Sequence, residues 1–134
     1  MSIPMNKLEI RPASTEEAET FLGEFLCHWE EVEAAIVDSE IVGMGGFARL
    51  HDHHDRLWAF LNVMPGARMN GFRIARRLMR KLHDRNETVF IQCDGDYATR
   101  LLRLLGFEPT DEVIADMRDE ANFLRVWKWQ SWQL

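Results

Sequence analysis

Apolar residues recur along the chain in two rhythms, and the change from one to the other lays out the elements. "LEIRP" (8–12) alternates and is stopped by Pro12, as a short strand would be. From Ser14 the period lengthens: Ala18, Phe21, Leu22, Phe25, Leu26 and Trp29 fall at three- and four-residue intervals, which predicts an amphipathic helix over 14–29. Ser14 and Glu17 stand ahead of it at capping-box spacing. "VEAAIV" (32–37) and "IVGMGGFARL" (41–50) read as strands joined by the turn "DSE", and "RLWAFLNV" (56–63) as the next strand, with "HDHHD" (51–55) at the hairpin tip. The helical period returns from about Asn70 to Asp84, with Phe72, Ala75, Met79 and Leu82 on one stripe and Ile74 and Leu78 widening it. "TVFIQC" (88–93) reads as a buried strand, and "DYATRLLRLLG" (96–106) as a helix closed by Gly106. Two strands, "EVIADM" and "FLRVWKW", follow, joined by a "RDEAN" turn.

The resulting order, β-α-β-β-β-α-β-α-β-β, predicts an α/β fold: a mixed central sheet of about seven strands flanked by helices, in one domain over 1–134. "RLWAFLNV", the second helix and "TVFIQC" form a crossover unit. Those two strands should therefore be parallel, and that helix should begin at the C-terminal end of the sheet.

Composition narrows the picture in three ways. A 46% hydrophobic content with five Trp supports a packed core rather than disorder. No apolar run reaches the 18 or so residues that span a bilayer, and "MSIPMNKLEI" lacks a signal peptide's pattern, so a cytoplasmic protein is expected. Cys27 and Cys93 form no CxxC and are expected to be free buried thiols.

The net charge of −6 argues against nucleic-acid binding, but its distribution is uneven. Residues 14–48 hold nine acids and no Lys or Arg. Residues 68–85 hold seven cations against Asp84 alone, a segment of +6 that leaves −12 elsewhere. Such a dipolar chain can draw an anion to one place and a cation to another.

The element order and the residues that fill it resemble the GNAT superfamily of acyl-CoA-dependent N-acyltransferases along almost the whole chain. "EIRPASTEEAETFL" is similar to the family's opening strand and helix, "AAIVDSEIVGMGGF" to its second and third strands, and "DYATRLLRLLGFEP" to its last helix and the Gly-Phe that closes it. The diagnostic element is V-x-P followed by R/Q-x-x-G-x-G/A at the start of a helix. Val63, Pro65, Arg68 and Gly71 match it; Arg73 stands where Gly or Ala is usual and Met69 where Gly is common. The physical logic is that the first amides of a helix lack intrahelical acceptors and its dipole favours an anion, while glycine lets a pyrophosphate approach closely.

The resemblance implies acetyl-CoA as cosubstrate and an amine of a small molecule or protein as acceptor. It places the pyrophosphate on Arg68, Met69, Asn70, Gly71, Phe72 and Arg73, and the pantetheine amides on Asn62 and Val63. Arg73 either reaches a phosphate or fills its space. The family's tyrosine acid falls at Leu102, so Tyr97, the only tyrosine, is the candidate acid. The fourth-strand glutamate base is absent from "WAFLNV", leaving Asp55 or a water. The half-kept loop also resembles short GNAT-like proteins of bacteriophages, some of which are acyltransferases in fold only. The alternative function is thus a protein-binding or virion-associated module without catalysis.

Three further signals remain. His51, His53 and Asp55 alternate, but on a hairpin tip they are expected as ordinary polar residues, with no metal. Trp127 and Trp129 share a strand face, for the core or the edge of a homodimer. The acids of 14–48, together with Asp111, Glu112, Asp116, Asp119 and Glu120, flank the implied acceptor region and suggest a cationic acceptor.

Overall fold

The computed structural model describes residues 8–24, 27–50, 56–67, 69–82, 87–93 and 95–130, with the side chains of Cys27 and Met69 left aside. Its elements are β1 (Glu9–Pro12), α1 (Thr15–Leu22), β2 (Cys27–Val37), β3 (Glu40–Leu50), β4 (Leu57–Val63), α2 (Met69–Lys81), β5 (Thr88–Cys93), α3 (Asp96–Leu105), β6 (Glu108–Asp116) and β7 (Asp119–Gln130). The seven strands form one sheet in the order β1-β2-β3-β4-β5-β7-β6. All neighbours are antiparallel except β4 and β5, which are parallel as the crossover requires.

Period-two alternation divides the core between the two faces. Ala35, Phe47, Leu57, Val89, Trp127 and Trp129 pack beneath Ile74 and Leu78 of α2 and Leu102 of α3. Ala34, Met44, Ala48, Trp58, Phe60 and Val126 pack beneath Ala18 and Leu22 of α1. The tryptophans of "VWKW" are therefore core residues of the α2/α3 face.

The first helix is shorter than the periodicity predicts. Gly23, at φ 124°, ends α1 at Leu22, a conformation that side chains beyond glycine seldom adopt. Trp29 belongs to β2, opposite Ala48 of β3. The apolar spacing over 18–29 merges a two-turn helix with the start of an eleven-residue strand, and long pairing with β3 outweighs helical periodicity. At the other end of the chain, β6 begins at Glu108 rather than at 112, and the expected five-residue turn is a tight one at Met117 and Arg118. Pro109 and a register irregularity before Val113 disguise that edge strand in the sequence.

The capping box is present. Ser14 Oγ accepts from Glu17 N at 3.1 Å, and Ser14 N donates to Glu17 Oε1 at 3.1 Å. Arg11 of β1 donates to both Glu17 oxygens, at 3.1 and 2.9 Å, tying α1 to the sheet edge. The Arg11 hydrogen bonds, helped by Ser14, hold the Glu17 carboxyl at about 2, below its usual 4.5. On the other face Glu33 of β2 is fully buried beneath α2, with Lys81 Nζ at 2.6 Å and Arg77 Nε at 3.3 Å from its Oε1. Two residues of the basic helix are thus structural cations. The Lys81 pKa is raised, chiefly by its hydrogen bond to Glu33.

Helix α2 also rides close to the sheet over Gly45. A Cβ there would lie 2.9 Å from both Ile74 Cγ2 and Leu78 Cδ1. Gly45→Val is expected to cost about 1–3 kcal/mol by overpacking, read as a lowered urea midpoint at unchanged slope; an unchanged midpoint would show that α2 is not seated this tightly. The Glu17 carboxyl makes a separate prediction. Its folded-state pKa lies below its unfolded one, so its contribution is present above about pH 4.5 and is lost as pH falls towards 2. Acid titrations of stability should therefore be flatter in that window for Glu17→Gln than for the parent chain.

Candidate active-site cleft between the diverging strands

Strands β4 and β5 pair only through Leu57 with Val89 and Trp58 with Phe90. Beyond these, β4 continues along β3 as far as Val63, and β5 continues along β7 as far as Cys93, so the two diverge. The opening is a cleft of about 430 Å³. Side-chain parity shows that it passes through the sheet. Tyr97, Leu101 and Leu102 of α3 line it on the α2/α3 face, while Asp116, Met117 and Arg118 line it towards the α1 face.

The strand edge facing the gap carries usable backbone groups. Met64 N donates to Val42 O at 2.9 Å. In an antiparallel ladder the hydrogen-bonded residues alternate, so the N–H and C=O of Leu61 and Val63 point away from β3 and towards the opening. An extended ligand with amide groups can bond there as an added strand would.

From Val63 the chain turns through a short 3-10 segment, Pro65–Ala67, and enters α2. Its first turn contains no acidic residue, so no carboxylate of that turn competes for the helix amides and dipole. Gly71 is buried, and a Cβ on it would lie 2.8 Å from Tyr97 Oη and 3.2 Å from Val63 Cγ2. The phenol hydroxyl, the end of β4 and the backbone of the first turn of α2 thus meet at one corner of the cleft. A phenol in that position can donate a proton to a group lodged in the cleft.

The sequence-derived candidates separate accordingly. Val63, Gly71 and Tyr97 converge, and Val63, Asn62 and Tyr97 line the cleft. Asn62 turns its amide to the α1 face, where Nδ2 donates to Phe21 O at 3.0 Å; its backbone belongs to the strand, but its side chain fastens α1. Asn70 is half-buried in the first turn of α2. Met69 contributes its backbone to that turn. Phe72 faces α3, beside Leu104 and Leu105, away from the cleft. Arg73 is exposed and does not line the cleft, so its bulk does not fill it. Arg68, Asp55 and the whole of "HDHHD" lie outside the described residues. No group of three or more His, Cys, Asp or Glu suited to a metal occurs among the described residues. Leu102, at the position of the family's tyrosine, is buried and lines the cleft. Cys93, expected as a buried core thiol, is half-buried at the cleft wall.

The acids do not gather around the cleft. Glu17 pairs with Arg11, Glu30 with Arg49, Glu31 and Glu33 with Lys81, and Glu112 with Arg56. Of the acids that suggested a cationic acceptor, Asp116 alone is among the cleft-lining residues. Two polar lining residues escaped the sequence reading. Gln92 of β5 donates from Nε2 to Ala115 O at 2.8 Å and accepts from Met117 N at 3.1 Å, drawing the β6–β7 turn over the opening. Arg118 sits in that turn. Its position in "RDEAN" marks a turn, but nothing local tells which strand the turn will lean against.

The corner contact can be measured. Alanine suits a helix better than glycine by about 1 kcal/mol, yet at Gly71 its methyl would press on Tyr97 Oη. Gly71→Ala should gain little in the parent chain and more in a Tyr97→Phe background. A double-mutant cycle on unfolding free energy should give a coupling of about 0.5–2 kcal/mol; additive values would place the hydroxyl elsewhere.

No protein-family model matches the chain, and no curated protein matches it in sequence. Solved structures match it in fold. The ribosomal-protein-S18-alanine N-acetyltransferase of Escherichia coli superposes with a TM-score of 0.63 at 12% identity, over 92% of this chain and 94% of that one. The yncA protein of Salmonella typhimurium, solved with its cofactor acetyl-CoA, gives 0.66 at 12% identity over 93% and 94%. A GNAT-family protein of Desulfovibrio desulfuricans gives 0.65 at 10% identity over 93% and 99%. The seven-stranded mixed sheet with three helices is the α/β fold of the GNAT acetyltransferases.

Proposed function

We propose that the protein is an acyl-CoA-dependent N-acyltransferase, most simply one that moves an acetyl group from acetyl-CoA to an amine. One observation carries this reading: the parallel pair opens after two residue pairs, so that a bare strand edge, a helix N-terminus and a phenol hydroxyl face one cleft open on both sides of the sheet. The fold shared with acetyltransferases, one of them solved with acetyl-CoA, supports it.

In this reading the pyrophosphate rests on the amides of residues 68–73 at the start of α2. The pantetheine amides bond to the edge of β4 at Leu61 and Val63, which brings the thioester into the gap. The amine enters from the α1 face. Its nitrogen lone pair attacks the acyl carbon, the C–S bond breaks, and the sulfur leaves with the electron pair. One proton passes from nitrogen to sulfur overall, and Tyr97 Oη is the donor nearest the departing thiolate. Positioning supplies most of the acceleration, since alignment of bound reactants is worth up to about 7–11 kcal/mol.

Asn70→Glu gives a test in which stability and binding move in opposite directions. A carboxylate in the first turn of α2 should stabilise the ligand-free protein by about 0.3–1 kcal/mol through the helix dipole, while repelling the pyrophosphate. Acetyl-CoA at 100 times its dissociation constant should stabilise the parent protein by about 2.7 kcal/mol, roughly 3–5 °C of melting temperature per kcal/mol at this size. The variant should bind about tenfold more weakly or worse. Equal affinity in both proteins would move the phosphates away from α2. No thermal shift in the parent at millimolar acetyl-CoA would sink the enzyme and favour a GNAT-like module without catalysis.

A further inference from the structure

The acceptor side of the cleft holds a charged pair that the reaction itself does not require. Asp116 and Arg118 flank Met117 in the β6–β7 turn, and both line the cleft. The turn is held in place rather than free to swing. Gln92 holds the end of β6 through Ala115 O and Met117 N, Arg118 N donates to Asp116 Oδ1 at 2.9 Å, and Met117 packs against the core of the α1 face. The Arg118 guanidinium has no ion pair and donates no hydrogen bond among the described residues, whereas Arg11, Arg49, Arg56 and Arg77 all meet carboxylates. Asp116 Oδ2 likewise has no partner among them.

The position of the pair decides what it can serve. The α2 N-terminus and Tyr97 lie on the α2/α3 face, and the Asp116–Arg118 turn leans over the α1 face, across the thickness of the sheet. An anion at Arg118 is therefore on the incoming acceptor and is not a phosphate of CoA. A planar guanidinium with its fork unoccupied fits a carboxylate through two parallel hydrogen bonds. Asp116, next to it, fits the ammonium or amine of the same small molecule. Among the described residues, further acids that would make a polyamine site are missing from the cleft lining: Asp116 is the one acid there, and Glu30, Glu31 and Glu33 of β2 and Glu112 of β6 meet arginine and lysine partners.

We infer that Arg118 and Asp116 form the acceptor subsite and that the acceptor is a small amine bearing a carboxylate, an amino acid or a close analogue. This rests on the acyltransferase reading above for its direction of approach, but not for the existence of the anion site. Arg118 is an exposed residue, so a ligand can reach its guanidinium; burial of that head lowers its pKa, the Asp116 charge raises it, and it remains a cation at neutral pH.

The test uses the full chain, acetyl-CoA, and a panel of glycine, β-alanine, L-glutamate and L-lysine, each beside its carboxamide, with 2-aminoethyl phosphate as the other anion. Ligand-observed NMR measures binding with and without acetyl-CoA, and release of free thiol measures turnover. Carboxylates should bind and be acetylated in preference to their amides. Arg118→Ala should raise the acceptor KM or Kd by about 10- to 100-fold while leaving acetyl-CoA affinity and melting temperature unchanged. Arg118→Lys should restore part of the loss. Equal use of amides and carboxylates, preference for the aminophosphate, or an Arg118→Ala effect shared by both members of a pair would overturn the subsite. The two readings fail separately. Carboxylate binding that depends on Arg118 without any acetyl-CoA binding keeps the subsite and removes the acyltransferase. Acetyl-CoA binding without carboxylate preference does the reverse.

Discussion

Everything in this structure turns on a seam of two residue pairs. A seven-stranded sheet normally spreads its hydrogen bonds evenly, yet here β4 and β5 meet only at Leu57–Val89 and Trp58–Phe90 before separating. The closed end of the seam is reinforced by side chains. Arg49 of β3 donates to both oxygens of Glu87, at 2.7 and 2.8 Å, just before β5 begins. Arg56, just before β4, lies 4.4 Å over the Phe90 ring and donates to both oxygens of Glu112 on β6. These pairs, in each of which one guanidinium nitrogen reaches both carboxylate oxygens, are partly shielded from water and span the seam, so they are better placed than ordinary surface pairs to hold it. Among the described residues no ion pair joins β4 to β5 at the open end, where the outward backbone groups of Leu61 and Val63 face the gap.

Helix α2 shows how one run of residues serves two demands. Its buried face must sit close enough to the sheet to bring its N-terminus to the end of β4, and glycine at 45 permits the approach. The basic face then has to satisfy Glu33, a carboxylate with no exposure, through Lys81 and Arg77. One oxygen of Glu33 has no partner among the described residues, so the pair is under-satisfied and the second cation matters. The dense positive charge of 68–85 is therefore divided. Arg77 and Lys81 hold the helix down, while Arg73, Arg76 and Arg80 are exposed on it.

Much of the fold was legible in the sequence. Local periodicity identifies all ten strands and helices in order, and the helix between "RLWAFLNV" and "TVFIQC" dictates that those strands are parallel. Ser14 and Glu17 mark the first helix start because a capping box is a purely local device. The errors lie where long-range pairing competes with local rhythm: Trp29 keeps helical spacing yet belongs to β2, and Pro109 lies near the start of an edge strand that its own chemistry disguises.

The site was legible only in part, and the division has a physical reason. Val63, Pro65 and Gly71 can be read from sequence because a strand, a turn and a helix start are consecutive, and the geometry they make depends on neighbours along the chain. Tyr97 could be named but not located, since its hydroxyl reaches Gly71 only once α3 has packed beside α2. The acids were misread for the same reason. Their number and sign are properties of the sequence, but whether a carboxylate faces a ligand or an arginine is decided by strand order and side-chain parity. Gln92, Asp116 and Arg118 belong to strands and a turn that approach one another only in three dimensions. The sequence alone determined the elements, their order and the start of the helix that can face an anion. Tertiary structure alone decided where the sheet opens and which charges line the opening, because those depend on contacts between residues far apart in the chain.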